Sequence, residues 1–230
     1  MMSVEAALVA LETVTAPKRV VSTMHCAPDV FTGSHYPTYL DRFIEDHPNP
    51  LSSACSRGDN VLLKLLLNHG VRPTQDTQDP LIIAAAMRNQ AGVALLLQHG
   101  ANPNLRSQSG LRGPVHAAIG KDPQWAVQIR LNPIWRAEAR RLPADRLSAD
   151  FERAERDIIR LLAHAGADLN NDLGGFETPL HVAILDSNIE MQALLLRLGA
   201  DLDIPNYWGA TARHLLGPEL TRMLIDLAIG

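Results

Sequence analysis

Aromatic side chains are scarce in this chain, 4% of its 230 residues, with three tryptophans among them. Sheet interiors draw on aromatic and β-branched residues, so the shortage points away from a β architecture. The hydrophobic share is nevertheless 46%, supplied mainly by Leu, Ala, Ile and Val, which suit short helices in close contact. Cysteine is nearly missing: Cys26 and Cys55 stand far apart and neither has a C-x-x-C neighbour. That excludes a disulfide framework and a zinc module of ordinary spacing, and it fits a reducing compartment. No apolar run reaches the length of a membrane span, so no membrane partner is expected. The short apolar stretch near the start has Glu5 and Glu12 at its flanks and no basic residue before it, so it does not read as a signal peptide. The expected location is cytoplasmic, with leaderless export left open.

Positive charge is also in short supply. The formal charge is −4 and the pI about 6.1, and only Lys18, Lys64 and Lys121 are lysines. A protein that lives on phosphate contacts is normally basic, so nucleic acid is not an expected partner. The arginine-rich remainder is explained most simply by a GC-rich, bacterial type of genome. Absent as well are a glycine-rich phosphate loop, a G-x-S-x-G elbow and an H-E-x-x-H pair. The nine histidines do not cluster. His69, His99 and His164 fall near expected helix C-termini, where a cationic ring suits the helix dipole. His25 and Cys26 form an isolated pair. No metal, no cofactor and no catalytic residue is expected.

What is present is a repeat. Segments beginning at Pro50, Pro80, Pro114 and Pro179 open alike (PLSSACSRGD, PLIIAAAMRN, PVHAAIGKD, PLHVAILDSN), and GATARHLL from Gly209 is a looser fifth. Each of the four is followed by a Leu-rich stretch that closes at glycine. From opening Pro to closing Gly is 20 residues in three copies and 52 in the third, which leaves 32 residues inserted there. The prolines suit the first turn of a helix, where the missing N–H is no loss. Gly100, Gly166 and Gly199 suit the position just past a helix, where a left-handed residue closes it. Such a helix–turn–helix cannot bury its own apolar face, and stacking of neighbours solves that problem.

The T-P-L-H opening and the period resemble the ankyrin repeat, over roughly residues 37–230. The resemblance implies an all-α fold: an ankyrin-repeat solenoid of about five stacked helix-turn-helix units with a helical insertion inside the third. The repeats fall near 47–75, 76–105, 106–170, 171–204 and 205–230, behind a partly ordered N-terminal extension, 1–36. The first and last copies are degenerate, as caps with a polar outer face would be. YPTYLDRFIEDHPNP is expected to be a remnant capping helix with Leu40, Phe43 and Ile44 on its apolar side. His116 and His181 occupy the family's histidine slot, where the ring ties neighbouring turns together; Ser52 and Ile82 replace it elsewhere. Arg88 and Ser187 stand where the family has a glycine between its helices, so that turn must be tightened by other means.

The insertion, 122–153, is patterned. It holds Trp125 and Trp135, a short helix with Arg136 and Arg140 four apart, and then a stripe of Leu147, Phe151, Ala154, Ile158 and Leu161 at helical spacing. The stripe predicts a second helix lengthened by about two turns, with Glu152, Glu155 and Arg156 on its solvated face. The tryptophans either pack as a small satellite core or serve a partner. The resemblance implies a non-enzymatic module that binds another protein in a heteromeric complex, through its concave face and hairpin tips. Candidate contact residues are Met87, Arg88, Arg112, Trp125, Trp135, Arg136, Arg140, Phe176, Tyr207 and Trp208. An immunity protein that blocks a toxin fits the acidic, small array. An effector or adaptor docking on a host protein is the alternative, and an enzyme using the insertion or residues 1–36 is the rival class.

Overall fold

The computed structural model describes residues 40, 44, 49–74, 79–106, 113–119, 144–172 and 177–229, with side chains of the helix at 144 described from Asp150 onward. The chain parts into two compact units, 1–42 and 43–230. Of the first only Leu40 is described, buried in a helical turn. In the second, Ile44 is helical, and Phe43 lies outside the described residues.

Among the described residues of the second unit the regular structure is helical apart from one bridge, Pro205 to Thr211. Helices come in pairs: α1 (Pro50–Arg57) with α2 (Asn60–Asn68), α3 (Pro80–Ala86) with α4 (Gln90–Gln98), α5 (Pro114–Ile119) with α6 (Ala144–His164), and α7 (Pro179–Leu185) with α8 (Ile189–Arg197). A last helix, α9 (Ala212–Ile229), breaks at Gly217, which sits at φ 73 just before Pro218. First helices stack on first helices and second on second: α1 meets α3, α3 meets α5, α2 meets α4 and α4 meets α6. Leu51, Leu63, Leu66, Leu81, Leu96, Ile158, Ile159, Leu162, Leu180 and Leu195 are fully buried between them. Removal of such side chains from water contributes roughly 1.5–3 kcal/mol each.

Local signals set the helix ends. Proline opens α1, α3 and α7. Second helices start at a side-chain cap: Asp59 accepts from the Leu62 N–H at 2.9 Å, Asn89 from Gly92 at 3.0 Å and Asn188 from Met191 at 3.0 Å. Each such cap stabilises by about 1 kcal/mol. Gly100, Gly166 and Gly199 close the second helices at φ +82, +86 and +98, a region where a Cβ is strained. The histidines just before them act more specifically than through the dipole: His99 Nδ1 meets the Leu95 carbonyl at 2.9 Å and His164 Nδ1 the Arg160 carbonyl at 2.6 Å.

Two expectations need correction. The turns at Arg88 and Ser187 are not tightened by other means, because both residues adopt the left-handed glycine conformation themselves, each at φ 54. An L-residue there costs roughly 1–2 kcal/mol. Nor does the last pair carry a polar outer face: Leu215, Leu220, Met223 and Leu227 are each 45–48% exposed on α9.

Beyond the closing glycines an asparagine ladder ties each pair to the next. Asn104 accepts from the Asp168 N–H at 2.6 Å and donates to the Gly166 carbonyl at 2.9 Å. Asn170 repeats this one step on, accepting from the Asp201 N–H at 2.8 Å. The 32 inserted residues therefore leave this edge in register. They act at the other end, where α6 runs for 21 residues against nine in α2, α4 and α8. Its start at Ala144 makes the extension about three turns, one more than the apolar stripe implied.

Candidate partner-binding surface

Arg88 and Met87 illustrate how the long helix changes the surface. Ala86, Met87, Arg88 and Asn89 are all at most 3% exposed, so Met87 and Arg88 are not surface contact residues. The reason lies in α6. Eleven residues before each closing glycine stand Asp59, Asn89, Glu155 and Asn188. In three copies that residue caps a helix, but in the third the helix continues through it, so Glu155 has no helix start to cap. Its carboxylate instead accepts from Arg88 Nη2 at 2.6 Å and from Nε at 3.1 Å. Arg88 Nη1 donates to the Ala86 and Ala117 carbonyls, both at 2.9 Å. The guanidinium also lies over the Phe151 ring, 4.9 Å from its centroid. Glu155 is thus buried, not part of a solvated face. Glu152 is exposed as expected, and Arg156, next to Glu155, reaches forward to pair with Glu190 at the start of α8.

The matching turn between α7 and α8 is open. Leu185 is 62% and Ile189 49% exposed, and Ser187 between them faces solvent. Asp186 Oδ2 is buried there without a hydrogen-bond partner among the described residues.

A third feature is the loop joining the fourth and fifth units. Pro205 and Thr211 pair as an antiparallel bridge, and the Asn206 N–H donates to the Ala210 carbonyl at 2.9 Å. Asn206 Oδ1 accepts from the N–H groups of Trp208 and Ala210, at 3.1 and 3.0 Å, and Gly209 completes the turn at φ 77. On this fixed backbone Tyr207 and Trp208 stand 71% and 73% exposed, edge to face, with centroids 5.8 Å apart. A side-chain-locked turn presents both rings with little ordering left for binding.

Beneath that loop His181 Nε2 donates to the Ala210 carbonyl at 3.1 Å, while Nδ1 accepts from the Thr178 hydroxyl at 2.8 Å. His116 Nε2 meets the Glu177 carbonyl at 2.9 Å. Both rings therefore bond backbone of the following unit. Arg112, Trp125, Trp135, Arg136, Arg140 and Phe176 lie outside the described residues. Among the described residues no group of three or more His, Cys, Asp or Glu is placed to hold a metal, and no helix is long and apolar enough to cross a membrane.

The residues that sequence reasoning missed are Glu155, Asn104, Asn170 and the exposed Ile189. Glu155 had a readable signal in its eleven-residue spacing to Gly166, the cap position of the other copies.

Comparison with known proteins agrees with this architecture. Residues 29–107 match the family model for three copies of the ankyrin repeat, and residues 176–207 match the single-repeat model. The inserted helix falls between the two matches. The nuclear factor NF-kappa-B p105 subunit of Rattus norvegicus is 34% identical over 68 residues, which are 28% of this chain and 7% of the relative. The potassium channel AKT1 of Oryza sativa, in both the indica and japonica subspecies, is 36% identical over 64 residues, again 28% of this chain and 7% of the relative. The likeness thus spans a small part of each relative.

Proposed function

This chain is an ankyrin-repeat protein, a module of the kind that binds other proteins, and from that premise we propose that it grips one partner protein without catalysis and chiefly through the 205–211 loop. The observation that carries this reading is the exposed Tyr207–Trp208 pair on a hydrogen-bonded turn. Tyrosine and tryptophan dominate interface hot spots, and an exposed aromatic pair does little for the fold. The open α7–α8 turn, with Leu185 and Ile189, extends the surface. Arg112 and Phe176, which the repeat spacing aligns with that loop, and Trp125, Trp135, Arg136 and Arg140, from the inserted sequence, are assigned to the same task. Met87 and Arg88 are not. The rat relative is by name a subunit, which agrees with a life in complexes.

Co-purification from the native source tests the reading. The full chain should recover a stoichiometric partner, and Tyr207→Ala with Trp208→Ala should weaken capture at least about a hundredfold with the thermal midpoint unchanged. Undiminished capture by that double variant overturns it. The partner's identity then sorts the finer readings: a toxin marks an immunity role, and a host protein marks an effector or adaptor. A heteromeric partner that is acidic throughout argues against all of them, given the net charge of −4.

A further inference from the structure

The α7–α8 turn carries a carboxylate that the fold does not use. Asp186 is the C-cap of α7, so its charge stands at the negative end of the helix dipole, where a cation would suit and an anion does not. Its Oδ2 is shut off from water, and neither carboxylate oxygen has a hydrogen bond or an ion pair among the described residues. The next carboxylate along, Glu190, is answered by Arg156 from α6. Asp186 is not. Beside it Leu185 and Ile189 stand 62% and 49% exposed. An acceptor withdrawn from water without a donor costs stability, and covering the two apolar side chains would be favourable.

The α3–α4 turn shows what such an edge takes. The repeat spacing sets Met87 at the place of Asp186, and Met87 is 1% exposed beneath α6. The covering helix brings a carboxylate, Glu155, to the turn's arginine and lays the Phe151 ring beside it. At the α7–α8 turn the sign of the charge is reversed, and no helix among the described residues covers it.

We propose that this turn docks a helix of the partner protein, one that sets an arginine against Asp186 and apolar side chains on Leu185 and Ile189. This docking rests on the reading of the chain as a protein-binding module, and it names the chemistry that the partner presents here. Arginine suits the site because its planar fork matches a carboxylate and is more weakly hydrated than an ammonium. The net charge of −4 favours the approach of a basic helix. Asp186 weakens the helix end it caps, so removing it should impair docking without impairing stability.

Selection from a displayed library of single helices with a randomised outer face, panned against the full chain, tests the proposal. The expected binders carry an arginine flanked by apolar residues. As fluorescein-labelled peptides they should lose about tenfold or more in affinity for Asp186→Asn, and more for Asp186→Arg. Thermal midpoints of both variants should equal or exceed that of the wild type. A peptide with its arginine changed to glutamate should fail on the wild type and recover on Asp186→Arg. Binders without a basic side chain, binders indifferent to Asp186→Arg, or no binders at all overturn the proposal. Binders that need Tyr207 and Trp208 but not Asp186 uphold the loop and still overturn the docking turn. Self-association abolished by Asp186→Arg hands the turn to a second copy. Helix binding that appears only after Arg136→Glu, Arg140→Glu and Arg141→Glu hands it to the chain's own insertion, and either result overturns the proposal.

Discussion

The α3–α4 turn and the α7–α8 turn share one backbone and differ in everything above it. Arg88 and Ser187 both sit at φ 54, each follows a seven-residue helix, and each precedes a capping asparagine. One turn is buried beneath α6, with Arg88 bonded to Glu155 and two carbonyls; the other is open to water. A helix laid over the edge of the array thus turns a surface into a socket. The comparison explains why a long arginine tolerates a conformation that favours glycine. Its strain is small beside the cost of removing one member of the buried Arg88–Glu155 pair.

The largest expected effect comes from emptying one side of it. Glu155→Ala leaves Arg88 buried without its carboxylate and should lower unfolding free energy by roughly 3–5 kcal/mol in urea titration. A loss below about 1 kcal/mol would mean that water already reaches the pair, and the contrast between the turns would collapse. Arg88→Gly relieves the backbone but takes the buried guanidinium away from the Glu155 carboxylate, for a net loss of roughly 2–4 kcal/mol. Combining Arg88→Gly with Glu155→Leu should recover most of that loss, since an apolar replacement removes both charges at once.

The open turn should respond in the opposite direction. Ser187→Gly removes roughly 1–2 kcal/mol of left-handed strain and adds back part of it as chain entropy in the unfolded state, leaving a gain of about 0.5–1 kcal/mol. The same glycine substitution therefore stabilises one turn and destabilises the other. Equal signs in the two melts would show that the buried ion pair does not distinguish them.

Much of the helical stack was legible in the sequence, because its signals are local. Pro50, Pro80 and Pro179 open helices, Gly100, Gly166 and Gly199 close them, and 20 residues separate the two signals in each unbroken copy. The surface was less legible, because it depends on distant neighbours. Arg88 looked exposed since arginine usually is, and its partner stands 67 residues away. Glu155 sat in a polar run, FERAER, whose composition suggests a solvated face. The α9 stripe read as a degenerate cap, although its spacing matches that of α8; only burial separates them. Tyr207 and Trp208 were legible because the repeat register puts them at a hairpin tip, between one closing glycine and the next opening helix.

The smallest effect is expected one residue further along α6. Arg156 pairs with Glu190 across the next boundary, but Glu190 is 69% exposed at its side chain, against 3% for Glu155. The same chemistry in water is screened and entropically opposed, so Arg156→Gln should shift stability by no more than about 0.5 kcal/mol. Salt sharpens the test. Raising ionic strength from about 0.05 to 1 M shortens the screening length to about 3 Å and should erase the Arg156 effect while leaving the Glu155→Ala loss nearly intact, because its partner is shielded from mobile ions. Melts of both variants at the two salt concentrations measure the difference. If both effects faded together, Glu155 and Arg156 would differ in direction along the array but not in environment, and the covered turn would be no socket at all.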